Sequence, residues 1–167
     1  DDQGPDAALK EALRAVGAAD AGKVALDETM RADFALLLLD AIPGAAHAFT
    51  VDTLGALRMV KDEGEYRALK MNAEIADRAM QKAFAELRPG RTEREVADAV
   101  KAYFASEGAV PSFWIVGGGP NGAFPHHQAG DRRLQDGDAV VIDIGAKKGL
   151  YPSDITRMAA VGRAPEG

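Results

Sequence analysis

Residues 138–157, DAVVIDIGAKKGLYPSDITR, set two aspartates into the most apolar stretch of the chain. Residues 140–144 read as a strand rich in β-branched side chains, with Asp143 inside it. Lys147, Lys148 and Gly149 supply a turn, and a second strand is expected from Leu150 to about Ala160. A two-residue turn centred on Lys148 and Gly149 places Asp143 opposite Asp154. Directly opposed Cβ atoms lie ~4.5–5.5 Å apart, and like charges so placed are destabilising. Burying them without partners costs more. A shared proton or a multivalent cation relieves the conflict, and a dinuclear metal site relieves it most completely. The alternative is that both aspartates sit at strand ends, hydrogen-bonded to backbone. Pro152 is expected to introduce a bulge, which loosens the register.

Bulk properties exclude more than they select. A chain of 167 residues holds one ordinary domain or parts of two. Its composition is 47% hydrophobic, yet the longest purely aliphatic run, residues 36–39, is far too short to span a bilayer. It opens on Asp1-Asp2 with no basic segment, so no secretory signal and no membrane partner are expected, and a cytoplasmic setting is. Without cysteine, any metal ligands must be His, Asp or Glu. A net charge of −6 argues against a nucleic-acid partner.

The pattern changes near residues 55–62. Before that point helices are expected at residues 6–16 and 29–41, and strands at 23–26 and 46–51. Such alternation suggests a parallel α/β unit, but two strands are too few to stand alone. Residues 1–55 therefore read as the tail of a small domain. Residues 65–87 form a long amphipathic helix with Leu69, Ala73, Ala76, Met80 and Phe84 on its apolar side. Arg88, Pro89 and Gly90 stop it, and Thr92 with Glu95 makes a capping box. That box opens a second helix to about Ser106, with Val96, Val100, Tyr103 and Phe104 inward.

A strand at residues 112–116 leads into Gly117-Gly118-Gly119-Pro120-Asn121-Gly122, and then to Pro125, His126 and His127. A glycine run can cradle phosphate, but no lysine–serine pair, dinucleotide spacing or helix start follows it. It reads better as a turn delivering the histidine pair to a cleft, with one ring of the two entering.

Taken in order, Pro125-His126, Asp136-Gly137-Asp138, Val141-Ile142-Asp143-Ile144-Gly145 and Tyr151-x-x-Asp154-Ile155-Thr156-Arg157 match a known pattern in sequence and spacing. Lys61-x-x-x-Glu65, Pro89-Gly90-x-Thr92-Glu93 and Ser112-Phe113 fit its start. From about residue 61 onward the chain resembles the creatinase, prolidase and aminopeptidase P family, the pita-bread metallopeptidases. Residues 1–55 are similar, more loosely, to the last part of that family's N-terminal domain.

The resemblance implies an α+β fold: residues 56–167 as the first half of a pita-bread catalytic domain, two helices on a curved, mostly antiparallel sheet. The end of a small α/β domain precedes it. It implies that Asp143 and Asp154 ligate a pair of divalent ions, Mn²⁺ or Co²⁺ by family habit and Zn²⁺ as a further option. A metal-activated water would hydrolyse X-Pro bonds in dipeptides or short peptides. His126 is implied to lie beside the substrate and stabilise the reacting amide without ligating metal, and His127 carries no implied role. Thr156 and Arg157 are expected to orient Asp154, with a plain salt bridge as the alternative for Arg157. The family's other ligands, one His and two Glu, come later in the domain than Gly167, so the chain reads as an internal piece that holds little or no metal alone. A homodimer is expected for the parent protein. Two other classes compete: a catalytically dead binding module, and a metal-free creatinase-type amidine hydrolase. The retained aspartate pair and His126 favour the peptidase.

Overall fold

A computed structural model describes residues 4–163 and divides the chain into two units, Asp1–Lys61 and Asp62–Gly167. In the first, α1 (Gly4–Ala15), β1 (Lys23–Leu26), α2 (Ala32–Ala41) and β2 (Ala46–Phe49) alternate as expected. The two strands pair in parallel, Lys23 beside Ala46 and Leu26 beside Phe49. A short helix, α3 (Leu54–Met59), follows a 3-10 turn and was not anticipated. Among the described residues of this unit only Leu26 and Ile42 are buried, as befits a two-stranded sheet with little to cover.

The second unit is built on two capped helices. In α4 (Glu63–Glu86), Asp62 accepts from the Glu65 N–H while the Glu65 side chain accepts from the Asp62 N–H. In α5 (Glu93–Ser106), Thr92 and Glu95 do the same. Each box satisfies two backbone donors that the first helical turn leaves orphaned. The helix α4 begins earlier than the expected residue 65 because Asp62 supplies a cap that was not expected.

Both helices pack on one face of an antiparallel sheet made of β3 (Val110–Gly118), β4 (Ala139–Lys148), β5 (Tyr151–Pro152) and β6 (Ile155–Ala160). This is the expected α+β arrangement. The core joins Ile75, Met80 and Ala83 of α4 and Val96, Val100 and Phe104 of α5 to Val116, Val140, Ile142 and Ile144 of the sheet. Burying each large side chain stabilises by ~1.5–3 kcal/mol relative to exposure. The inward stripe of α4 runs through Asn72, Ile75, Ala76, Ala79, Met80 and Ala83, so Ala73 is exposed and Leu69 and Phe84 only flank the core.

The hairpin register differs from the expected one. Lys148 pairs with Tyr151, so the two-residue turn is Gly149-Leu150 rather than Lys148-Gly149. Gly149 has φ +68°, the place where a type II′ turn takes glycine, whereas the expected turn asks Lys148 to adopt a left-handed conformation. Asp143 consequently pairs with Thr156, not Asp154. The second strand is also interrupted. Ser153 and Asp154 lie outside both β5 and β6, and the Ser153 N–H and hydroxyl both bond the Ala146 carbonyl, at 2.8 and 3.1 Å.

Candidate active site

Alternation along β4 decides which face holds the acid. Val140, Ile142 and Ile144 are fully buried under the helices, so Asp143 points to the opposite, open face. Thr156, its cross-strand partner, shares that face, and its hydroxyl donates to Asp143 Oδ1 at 2.7 Å. Asp154 precedes Thr156 by two residues and so returns to the same side. The aspartates are thus diagonal neighbours, a spacing of ~7–8 Å in a regular ladder, rather than a directly opposed pair. Asp143 is half-buried and Asp154 exposed, which relieves much of the conflict expected of a buried pair. Among the described residues no hydrogen bond joins the two carboxylates, and the one side-chain bond to Asp143 comes from Thr156.

One cleft of about 770 Å³ gathers Asp143, Asp154 and His126, with Phe113, Ile115 and Trp114 along its strand wall. The three residues marked out by motif are therefore brought together. Phe113 explains Gly145: a Cβ there would lie 2.3 Å from the Phe113 ring and 2.5 Å from the Ser153 carbonyl. His126 has φ +54°, the one non-glycine residue with positive φ among those described. A left-handed histidine at a cleft is a costly conformation that the surrounding structure must enforce.

The cations at this cleft already have partners. Arg94 bonds Asp131 at 2.9 Å, and Lys101 meets Asp98 at 2.6 Å with its ammonium 4.8 Å from the Trp114 ring centroid. Neither is left to neutralise the aspartates. The Arg157 side chain donates to the Thr156 carbonyl at 2.8 Å, and it forms no ion pair among the described residues. Thr156 acts on Asp143 instead of Asp154, because the register moved by two residues.

Glu93, the first residue of α5, was not singled out for a role of its own, yet it is fully buried beside this loop. Its Oε1 accepts from the Gly118 N–H and the Asn121 amide, both at 2.9 Å. Its Oε2 accepts from the Gly130 N–H at 3.2 Å and meets His127 Nε2 at 2.9 Å. Burial pushes this carboxyl up, but the bonds from Gly118, His127, Asn121 and Gly130 outweigh it and hold it below its ordinary range. His127 is thus not a bystander of the loop. The sequence marked it only as part of the motif Pro89-Gly90-x-Thr92-Glu93; by local pattern it is one more acid in a first helical turn, where exposed acids are common.

The glycine run serves packing rather than phosphate: a Cβ at Gly118 would lie 2.4 Å from the Leu134 side chain. Below it, Arg132 grips Asp138 through two bonds of 2.7 and 3.0 Å. Those bonds, with one from the Gln135 N–H and against some burial, lower the Asp138 carboxyl from its ordinary value.

Two carboxylates on one face are hard oxygen donors of the kind divalent ions take. They fit part of such a centre and not a whole one: among the described residues no group of three or more His, Asp or Glu gathers to hold an ion. No helix among the described residues is long and apolar enough to cross a membrane.

A family model described as metallopeptidase family M24 matches residues 67–166. The chain is 43% identical over 140 residues to the probable dipeptidase PepE of Mycobacterium tuberculosis, covering 83% of this chain and 37% of that protein. It is 41% identical over 117 residues to an Xaa-Pro dipeptidase of Pyrococcus horikoshii, covering 69% of this chain and 33% of that one. The crystal structure of dipeptidase PepE from Mycobacterium ulcerans superposes with a TM-score of 0.84 at 39% identity, over 98% of this chain and 43% of that chain. The chain therefore spans well under half the length of these relatives.

Proposed function

The chain belongs to metallopeptidase family M24, and on that footing we propose that the protein it comes from is a dinuclear metal-dependent peptidase cleaving X-Pro bonds in dipeptides or short peptides. What supports this most is the convergence of Asp143, Asp154 and His126 on one cleft, all three within the span matched by the family model. In this reading Asp143 and Asp154 hold the ions, and the Thr156 hydroxyl fixes the Asp143 carboxylate so that its other oxygen faces the cleft. The remaining donors come from parts of the relatives' length that this chain does not span. When bound, two divalent ions would lower the pKa of a water and clamp the reacting carbonyl.

The chain's own residues do the rest. His126 stands beside the substrate and donates to the oxygen on which negative charge develops, without ligating metal. Phe113 and Ile115 wall the cleft and keep bulk water from the reacting bond. Mn²⁺ or Co²⁺ is the proposed ion pair, with Zn²⁺ as a further option, and a cytoplasmic homodimer the proposed state. Residues 1–55 are read as the end of a creatinase-like N-terminal domain and 56–167 as the first half of the catalytic domain.

The test is hydrolysis of dipeptides by the full-length protein after chelation and after return of Mn²⁺ or Co²⁺. Cleavage of an X-Pro dipeptide that vanishes on chelation and returns with metal is expected. Full cleavage in the chelated protein contradicts the metal; cleavage of X-Ala but not X-Pro contradicts the substrate.

A further inference from the structure

The segment 119–131 carries His126 into the cleft, and both its ends are tied to one atom group, the Glu93 carboxylate. Gly118 and Asn121 bond one oxygen before the loop's apex; His127 and Gly130 bond the other after it. Four donors meet an acceptor-only group with about four lone-pair sites, so the carboxylate is saturated. Because an ionised carboxylate only accepts, the ring nitrogen facing it must carry its proton: His127 donates through Nε2. Residues 122–126 are the short arch between two pinned points, and His126 at its end holds φ +54°. Such a conformation persists only where neighbours over-determine it.

We propose that Glu93 is a positioning residue for the proposed peptidase reaction, setting the place of His126 through its bonds to His127 and Asn121 while touching no substrate itself. This rests on the reading of His126 as the group beside the reacting amide. The N-terminus of α5 thereby becomes the reference frame for the loop, through Glu93 and through the Arg94 N–H on the Gly130 carbonyl at 2.9 Å, while the apex residues Phe124, Pro125 and His126 are all exposed. Both adjacent histidines line the cleft, and of the two only His127 is bonded to the buried acid.

The test is a double-mutant cycle in the full-length, metal-loaded protein on an X-Pro dipeptide, with kcat, KM and bound metal measured together. Glu93→Gln puts an amide N–H where a donor already points, and His127→Ala removes one donor. Each is expected to lower kcat by ~10–10²-fold, the scale of a small misplacement of a reacting group. KM and metal content should change little. On a His126→Ala background either change should cost less than about twofold, because the group being positioned is gone. His127→Gln, which keeps an N–H near the same point, should recover most of the kcat; failure to recover counts against the bond. A full, additive loss on the His126→Ala background, or a loss that tracks falling metal content, overturns the positioning role. Should Glu93→Gln not fold, the His127 arm decides by the same criteria. An unchanged kcat for His126→Ala alone is a different failure: it removes the reading of His126, and this inference with it.

Discussion

Asp143, Asp154 and His126 were visible as residues long before their geometry was. A motif fixes identity and spacing, and spacing along a strand fixes which face a side chain takes once the register is known. What it left open was the register itself, and with it the partner of Thr156. Glu93 was illegible for another reason. Its four donors lie 25 to 37 positions further along the chain, so no local pattern distinguishes it from a solvated acid. Its lowered carboxyl has a consequence for pH. A depressed value means the folded state favours the ionised form, so its contribution is complete above the ordinary value of 4.5 and is lost as pH falls through the lower folded-state value. Denaturant midpoints on acidification should therefore drop more steeply in the wild type than in Glu93→Gln, which starts lower at neutral pH. Equal slopes contradict the assignment. Gly145 gives a simpler case: Gly145→Ala drives a methyl into Phe113 and the Ser153 carbonyl and should cost ~1–3 kcal/mol in urea unfolding.

Helices α4 and α5 followed from periodicity, and the α5 cap from Thr92 and Glu95, because both signals are local. The inward face of α4 was rotated from the expectation by Asn72, a polar residue in the core stripe. Its side chain closes on the β4 end of the hairpin, accepting from the Lys148 N–H at 3.0 Å and donating to the Lys148 carbonyl at 3.2 Å. A buried amide at a helical core position is thus the device that sets α4 against the strand bearing Asp143. Asn72→Ala strands both backbone groups and should destabilise by ~2–3 kcal/mol. Thr92→Ala should cost ~1 kcal/mol through its cap alone. A smaller loss for Asn72→Ala than for Thr92→Ala would show that the contact to the hairpin is dispensable. Hairpin pairing was misplaced because the turn was set on Lys148-Gly149; glycine's place in a type II′ turn puts it on Gly149-Leu150.

Across the molecule, the division into Asp1–Lys61 and Asp62–Gly167 and the span of well under half of the relatives' length bear on function in the same way. The described residues supply two carboxylates and a histidine to one cleft, and no third ligand. The 167-residue chain alone should then retain little metal after dialysis, while the full-length protein should retain two divalent ions per chain, as elemental analysis would read. Stoichiometric metal on the short chain contradicts the shared-ligand account. The most direct measurement compares two variants of the full-length protein, scoring X-Pro hydrolysis and bound metal side by side. Asp154→Asn should lose both, since a neutral amide would not replace the carboxylate charge proposed to hold the ions; His126→Ala should keep its metal and lose ~10²–10³-fold in kcat. Full hydrolysis by Asp154→Asn, or loss of metal from His126→Ala, would contradict the assignment of these residues.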